Sequence, residues 1–156
     1  MITMQNLSPE NITELRKAFI QDNTEKWLSI MAKKDAKHSG AFFVGFSFPA
    51  ALFGQIWMVY RKAYNYLPAF IFIVIFSLIP DDSFNLFILI ILLVFGFGYG
   101  GPHWYWLNTN REINHALSTS GSDLEKAKSI LRERGGVSVP AVIITTIIYL
   151  IYQVLF

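Results

Sequence analysis

The sequence predicts an all-α integral membrane protein with three transmembrane helices, and two observations lead to this class. Of the 156 residues, 53% are hydrophobic and only 15% are charged, whereas soluble domains carry about a quarter charged residues. Three stretches, 63–79, 84–107 and 137–156, contain no Lys, Arg, Asp or Glu. Each reaches the roughly 17 residues that a helix needs to cross a hydrocarbon core about 30 Å thick. We therefore expect a multi-pass membrane protein.

Residues 1–40 are predicted to form two cytoplasmic amphipathic helices. The first opens with Ser8 before a proline, a favoured pair at a helix start, and repeats apolar residues on one face. A second apolar stripe follows a break at 22–24. Two interpretations stay open. The stripes pack on the rest of this protein or on the bilayer, or they form a docking surface for a protein partner or a second copy, with Phe19 and Trp27 as its anchors.

The predicted membrane topology depends on whether the segment 41–62 spans the bilayer. It is long enough to span but is interrupted by Gly, Pro and polar residues. If it lies in the interface or re-enters, all thirteen Lys and Arg fall on one side of the membrane; if it spans, they divide between the two sides. Because Lys and Arg near span ends bias loops towards the cytoplasm, we predict an interfacial or re-entrant segment and a cytoplasmic N-terminus.

The rest of the chain is predicted to alternate between the bilayer and the cytoplasm. It comprises a two-span helical hairpin, a cytoplasmic helical loop and a third transmembrane helix, at 63–107, 108–136 and 137–156. An outside turn at 79–83 closes the hairpin, since Pro and Asp favour tight turns. In the loop, Ser122 and Glu125 are predicted to form a capping box at the start of a short helix that ends at a Gly pair.

The glycine-rich stretch FGFGYGGPHWYW, residues 95–106, ends the second predicted span. Gly96 and Gly100 are separated as in small-xxx-small motifs, which predicts a close helix crossing against the third span. The alternative is a kinked helix that lines a polar pocket, with carbonyl groups freed by Pro102. A potassium-channel filter is disfavoured, because a run of Leu, Ile and Val precedes the Gly-Tyr-Gly triplet in place of the required Thr-Val.

Four polar side chains near the cytoplasmic boundary are a candidate pocket for a polar group or a lipid head group: Arg61, Lys62, His103 and Asn108. His103 is the one ionisable residue within any predicted span. It lies about 18 Å from His115 along a continuous helix, so the two cannot share a metal ion. We expect no metal site, no cofactor and no catalytic residue, since no motif for such chemistry occurs. The formal net charge of +2 gives little support for nucleic-acid binding.

The stretch FSFPAALFGQIWMVYRKAY, residues 46–64, has a Phe before an Ala- and Phe-rich run, a Gly, a Trp three residues later, then Tyr-Arg-Lys and a closing Tyr. This pattern resembles the bacterial inner-membrane family known as domain of unknown function 2628. The likeness continues in 19–27 and more weakly in 134–136, and the chain departs from the pattern at Ser47, Gln55 and Ala63. The resemblance implies a bacterial inner (plasma) membrane protein with its N-terminus inside, and it implies no activity.

Two functions are compatible with these features. The first is a structural or interaction subunit, embedded in the lipid bilayer, whose recognition surface faces the cytoplasm and contacts a protein partner or a second copy. The second is a small transport or channel component with a polar pocket at the cytoplasmic face, since interrupted apolar segments are the usual pointer to such sites.

Overall fold

The protein is helical throughout the part that the computed structural model describes, residues 4–37, 43–66, 91–121 and 123–155. Its helices are α1 (Pro9–Ile20), α2 (Thr24–Ala36), α3 (Phe48–Tyr60), α4 (Gly98–Ser120), α5 (Leu124–Arg134) and α6 (Val139–Leu155). A π-helical turn, Leu92–Phe97, leads into α4, and short 3-10 turns lie at Met4–Asn6 and Tyr64–Tyr66. No strand occurs across these ranges, and the all-α prediction is confirmed.

The predicted spans are covered only in part by the described residues. The first span from residue 67 onward, the outside turn at 79–83 and the start of the second span lie outside them. The predicted third span corresponds to α6, which has 17 residues. Among the helices described, none has both the length and the apolar character required to cross a bilayer.

The chain divides into two compact units, and the division falls within α4. Unit 1 takes in Met1–Ala41 and Tyr105–Val137, and unit 2 takes in Phe42–Trp104 and Ser138–Phe156. Each unit has its own buried core, and each is described separately below.

Unit 1 is built from α1, α2, α5 and the C-terminal part of α4. Two of its helices, α1 and α5, begin at side-chain caps that satisfy otherwise unpaired backbone N–H groups. The Ser8 hydroxyl accepts from the N–H of Asn11 at 3.3 Å. At α5 the cap is Asp123, whose carboxylate accepts from the N–H groups of Glu125 and Lys126 at 3.0 and 3.1 Å. The capping box predicted from Ser122 is therefore wrong, because the next residue supplies the cap; Ser122 itself lies outside the described residues.

The core of unit 1 is formed by the apolar stripes of its helices. The fully or almost fully buried members include Leu15, Phe19, Ile20, Trp27, Met31, Tyr105, Ile113, Leu117 and Leu131. The ring of Trp27 meets the ring of Tyr105 edge to face at a centroid distance of 4.8 Å, and Phe19 lies 6.3 Å from the same ring. The apolar stripes are thus covered within this unit.

A glycine pair joins the end of α5 to the end of α1. The N–H of Gly136 donates to the carbonyl oxygen of Phe19 at 2.7 Å, and Gly136 has a φ of 75°, which favours glycine. A Cβ on Gly135 would collide with the backbone carbonyl of Phe19. The side-chain amide of Gln21 donates to the carbonyl oxygen of Arg132 at 2.6 Å. Glycine is required here because two backbones approach closely.

Unit 2 contains α3, α6 and the chain leading into α4. Ser47 caps α3, and its backbone N–H donates to the carbonyl oxygen of Gly98 at 2.9 Å. Within α3, Gly54 adopts φ 45° and ψ −112°, which breaks the helix into two parts. The ring of Phe97 lies 3.2 Å from the place that a Cβ on Gly54 would occupy. Helix α6 packs against α3.

Gly101 packs against α3 and Gly98 packs against Phe46, just before α3, whereas the close packing predicted for Gly96 and Gly100 stays a prediction. A Cβ on Gly98 would meet the ring of Phe46, and one on Gly101 would lie 2.7 Å from the Cβ of Ala50. The atoms nearest to a Cβ on Gly100 would be those of the Trp104 ring, one turn further along the same helix. Gly96 lies within the π-helical turn, whose wider repeat changes the face that each glycine presents.

We expect Gly101→Ala to lower the thermal unfolding midpoint of the purified chain more than Gly100→Ala does. At Gly101 the new methyl group meets Ala50, which is fully buried and cannot move without its helix, so overpacking of about 1–3 kcal/mol outweighs the helix propensity gained. At Gly100 the neighbouring Trp104 ring can rotate. Equal midpoints for the two variants would contradict this assignment of the contact face.

Candidate functional site

A cleft in unit 1, lined by both polar and apolar side chains, is a candidate site. It has a volume of about 560 Å³ and lies between the N-terminal turn, α1, α2 and α4. Its lining residues are Met4, Gln5, Ile12, Lys34, Asp35, Trp106, Asn110 and Asn114. Volumes between roughly 300 and 1,000 Å³ are typical of sites for small molecules. The cleft therefore has room for a small ligand.

An ion pair forms one wall of the cleft. Arg16 Nη1 lies 2.6 Å from Asp35 Oδ2, and Arg16 Nη2 lies 3.3 Å from Asp35 Oδ1. The indole N–H of Trp106 donates to Asp35 Oδ1 at 2.9 Å, and Arg16 Nη2 also donates to Asn110 Oδ1 at 3.0 Å. The Arg16 side chain is only 5% exposed, against 42% for Asp35. A buried guanidinium is thus neutralised by a carboxylate that water also reaches.

Lys34 supplies a second buried positive charge beside the cleft. The residue is fully buried, and this loss of hydration lowers the pKa of its ammonium group from the usual 10.5 to about 8. At pH 7 the side chain therefore still carries its charge in most molecules. Because charged groups are costly to bury, this position stands out from the other lysines of the chain.

A second cleft, of about 410 Å³, lies between α1 and α5 and carries exposed basic side chains. Two of these are already paired, since Lys17 Nζ lies 2.8 Å from Glu14 Oε1 and Lys128 Nζ lies 2.8 Å from Glu125 Oε1. Hydrogen bonding to Glu14 raises the pKa of Lys17 above its ordinary value. The pairing leaves little net charge for an anionic ligand at this surface.

The structure places the two predicted docking residues in the interior of unit 1. Phe19 is 1% exposed and Trp27 is 3% exposed, so neither presents a surface that a partner could contact in this conformation. The physical reason is that α1 packs against both α2 and α5, and each stripe is covered by its neighbours. Of the two interpretations of these stripes, packing within the protein fits the observed burial.

The four residues of the predicted polar pocket fall in different units. Arg61 is buried in unit 2, with its guanidinium carbon 5.6 Å from the ring centroid of Tyr60. Lys62 and His103 are half-buried in the same unit, and Lys62 has a left-handed φ of 54°. Asn108 is buried in unit 1. The four therefore do not form a site within either unit.

The sequence did not predict the cleft, because its residues come from helices that lie far apart along the chain. One signal was available in α4. Trp106, Asn110 and Asn114 recur every four residues and therefore share one helix face. A polar row in a helix flanked by buried apolar residues indicates a surface that meets other polar groups. The positions of Arg16 and Asp35 in the sequence do not indicate that their side chains contact this polar row of α4.

Comparisons with protein-family models, with curated protein sequences and with solved structures return no match for this chain. In the described ranges, no three His, Cys, Asp or Glu side chains are grouped closely enough to hold a metal ion.

Proposed function

We propose that the protein is a bacterial inner-membrane protein of the structural or interaction type, with unit 2 embedded in the lipid bilayer and unit 1 a helical module in the cytoplasm. One observation carries the proposal. Every large hydrophobic side chain that is exposed among the described residues belongs to unit 2: Phe43, Phe46, Phe48, Leu52, Phe53, Tyr64, Ile91, Phe95, Val139, Ile143, Ile144, Ile147, Ile148, Leu150 and Ile151.

Helix α6 exposes large apolar side chains along most of its length. Ile144 is 58% exposed and Ile148 is 62% exposed, and the helix contains no Lys, Arg, Asp or Glu. Water-soluble monomers rarely expose contiguous apolar surface beyond a few hundred Å². Transfer of such surface into lipid gains roughly 25 cal/mol per Å². Unit 2 exposes large apolar side chains and the described part of unit 1 does not. This difference favours a lipid environment for unit 2 and an aqueous one for unit 1.

The inner-membrane location and the inside N-terminus rest on two further supports. The likeness of 46–64 to the inner-membrane family points to that membrane, and the distribution of Lys and Arg in the sequence favours a cytoplasmic N-terminal segment. The C-terminal turns of α1, α2 and α5 all carry basic residues, which suit a module beside an anionic leaflet.

Interaction with a protein partner or a second copy would have to use polar chemistry in unit 1. The apolar stripes that a helix-in-groove contact would need are buried in its core. The described surface of unit 1 carries charged side chains and the cleft. The alternative function, transport, has less support, because the Phe97 ring packs closely against the break at Gly54.

A photoactivatable apolar reagent dissolved in the lipid of native membranes tests the proposal. We expect its adducts, mapped by mass spectrometry, within residues 43–53 and 139–151, and not within α1, α2 or α5. In a matched pair of variants, Ile148→Lys should impair membrane insertion at a cost of about 2.5–3.5 kcal/mol, whereas Glu25→Lys on the exposed face of α2 should not. Equal labelling of both units would contradict the proposal.

A further inference from the structure

The cleft of unit 1 places hydrogen-bond donors, a hydrogen-bond acceptor and apolar side chains around one space. We infer that it binds a small neutral polyhydroxyl molecule of about the size of a monosaccharide, whose hydroxyl groups form hydrogen bonds with Asn110, Asn114 and the carboxylate of Asp35. The proposed function assigns no ligand to this cleft, and the inference does not depend on where unit 2 resides.

The existing hydrogen bonds fix the orientation of two side-chain amides of α4. Asn110 Oδ1 accepts from Arg16 Nη2 at 3.0 Å, and Asn114 Oδ1 accepts from the backbone N–H of Met4 at 3.0 Å. A guanidinium group and a backbone N–H can only donate, so the atoms that face them must be the carbonyl oxygens. The two Nδ2 groups, four residues apart on one face of α4, are therefore the donors that remain for a ligand.

Asp35 supplies the acceptor. Its Oδ1 accepts from Arg16 Nη2 and from the indole N–H of Trp106, and its Oδ2 accepts from Arg16 Nη1. These are three hydrogen bonds, whereas the two oxygens of a carboxylate offer about four acceptor positions. The Asp35 side chain is 42% exposed, so a ligand can reach the remaining position. A ligand that donates to Asp35 and accepts from the amides needs both kinds of group, and a hydroxyl group is both.

The charges around the cleft favour a neutral ligand. Arg16 and Asp35 neutralise each other, and Lys34 is fully buried and already engaged in another interaction. The charged group that a ligand meets is the Asp35 carboxylate, which repels an anion, while the Arg16 guanidinium behind it disfavours a cation. A neutral molecule meets neither repulsion, and it loses less hydration than an ion when it enters the cleft.

The apolar walls favour a ligand that also carries carbon. Met4, Ile12 and Trp106 give the cleft apolar surface beside its polar groups. A monosaccharide has C–H groups on the faces of its ring and hydroxyl groups around the rim, so it can cover this surface and still reach the amides. The volume of about 560 Å³ lies within the roughly 300–1,000 Å³ typical of such sites. A wholly apolar molecule would leave the amides and the carboxylate without hydrogen bonds.

Titration of the full chain in lipid nanodiscs with glucose, mannose and myo-inositol tests the inference, with glucuronate as an anionic probe of the same ring size. We expect at least one neutral probe to shift the side-chain amide signals of Asn110 and Asn114 saturably in nitrogen-15 spectra. The indole signal of Trp106 should shift with them, whereas that of Trp27, which is buried in the core, should not. Glucuronate should bind at least about tenfold more weakly, because the Asp35 carboxylate repels it.

A pair of leucine variants in α4 sharpens the test. Asn114→Leu removes the amide from the cleft at nearly constant size, and Ser118→Leu adds the same side chain one turn further along, at an exposed position that does not line the cleft. We expect the first to weaken binding of the neutral probe at least about tenfold and the second to leave it unchanged. Should Asn114→Leu fail to fold, the titration of the wild-type chain still decides.

Three results would overturn the inference. The first is the absence of a saturable shift with all three neutral probes. The second is equal binding of glucuronate and the neutral probe. The third is equal affinity of the two leucine variants when circular dichroism shows that both are folded.

Discussion

Replacement of Gly135 by Ala is expected to destabilise unit 1 by at least about 3 kcal/mol, or to unfold it. The new Cβ would overlap the backbone carbonyl oxygen of Phe19 and would lie 2.7 Å from that of Leu131. Backbone atoms cannot move aside as a flexible side chain can, so α5 and α1 must separate. Separation breaks the hydrogen bond between Gly136 and Phe19 and opens the core around Phe19, and exposure of a large core side chain costs about 1.5–3 kcal/mol by itself.

Gly121→Ala provides the matched control in the same unit. Gly121 has a positive φ of 64° but nothing within 4 Å of an added Cβ, so Ala there meets only backbone strain of about 1–2 kcal/mol. Urea unfolding of the full chain in non-ionic detergent, followed by circular dichroism, measures both variants. If Gly135→Ala cost no more than Gly121→Ala, the close approach of α5 to α1 would be disproved.

The Gly pair at 135 and 136 has one role that the sequence predicts and one that it does not. Glycines after an amphipathic stretch predict a helix end, and α5 does end at Arg134. The sequence could not reveal that Gly135 also admits the carbonyl oxygen of Phe19, because that partner lies more than a hundred residues away. Local signals predict local structure, and the long-range packing that gives the same residue its second role leaves no pattern in the neighbouring residues.

The helices with apolar stripes and terminal caps were the predictable part of the fold. Ser8 and the proline after it predicted the start of α1, which begins at Pro9. The glycine contacts in unit 2 were harder to predict. Gly96 and Gly100 have the motif spacing, but the close contact with α3 that the structure shows is made by Gly101, next to Ala50. Small-residue spacing assumes a regular helix, and the π-helical turn at Leu92–Phe97 alters the helical repeat just before these glycines.

The candidate site was the least predictable feature. Phe19 and Trp27 were natural choices for docking because amphipathic stripes look the same in sequence whether a partner or the same chain covers them. In the structure the core of unit 1 covers them. The cleft instead depends on charged and amide side chains from three helices, and no spacing rule joins Arg16, Asp35 and Asn110.

Replacement of Lys34 by Met is expected to stabilise the protein at pH 7 by about 3 kcal/mol. Lys34 is fully buried, and burial lowers the pKa of its ammonium group from 10.5 to about 8. A pKa change of one unit corresponds to about 1.4 kcal/mol. The decrease from 10.5 to about 8 therefore makes the charged form of Lys34 about 3 kcal/mol less favourable in the folded chain than in the unfolded chain. Methionine has a similar length and no charge, and it removes the disadvantage.

The pH dependence follows from the same pKa values. Below pH 8 the side chain is protonated in both the folded and the unfolded chain, and the full disadvantage is present. Between about pH 8 and 10.5, the unfolded chain binds more protons than the folded chain, so the free energy of unfolding rises with pH. Above that window the side chain is neutral in both states. The contribution of Lys34 should thus appear as a rise in stability across this window.

Urea unfolding at several pH values between 7 and 10.5, with Lys33→Met as the matched control, tests this expectation. Lys33 is the exposed neighbour of Lys34, and its replacement should change neither the stability nor its pH dependence. Lys34→Met should lose the rise relative to the wild-type chain. Loss of stability at pH 7 would instead mean that a favourable contact of the ammonium group outweighs its desolvation.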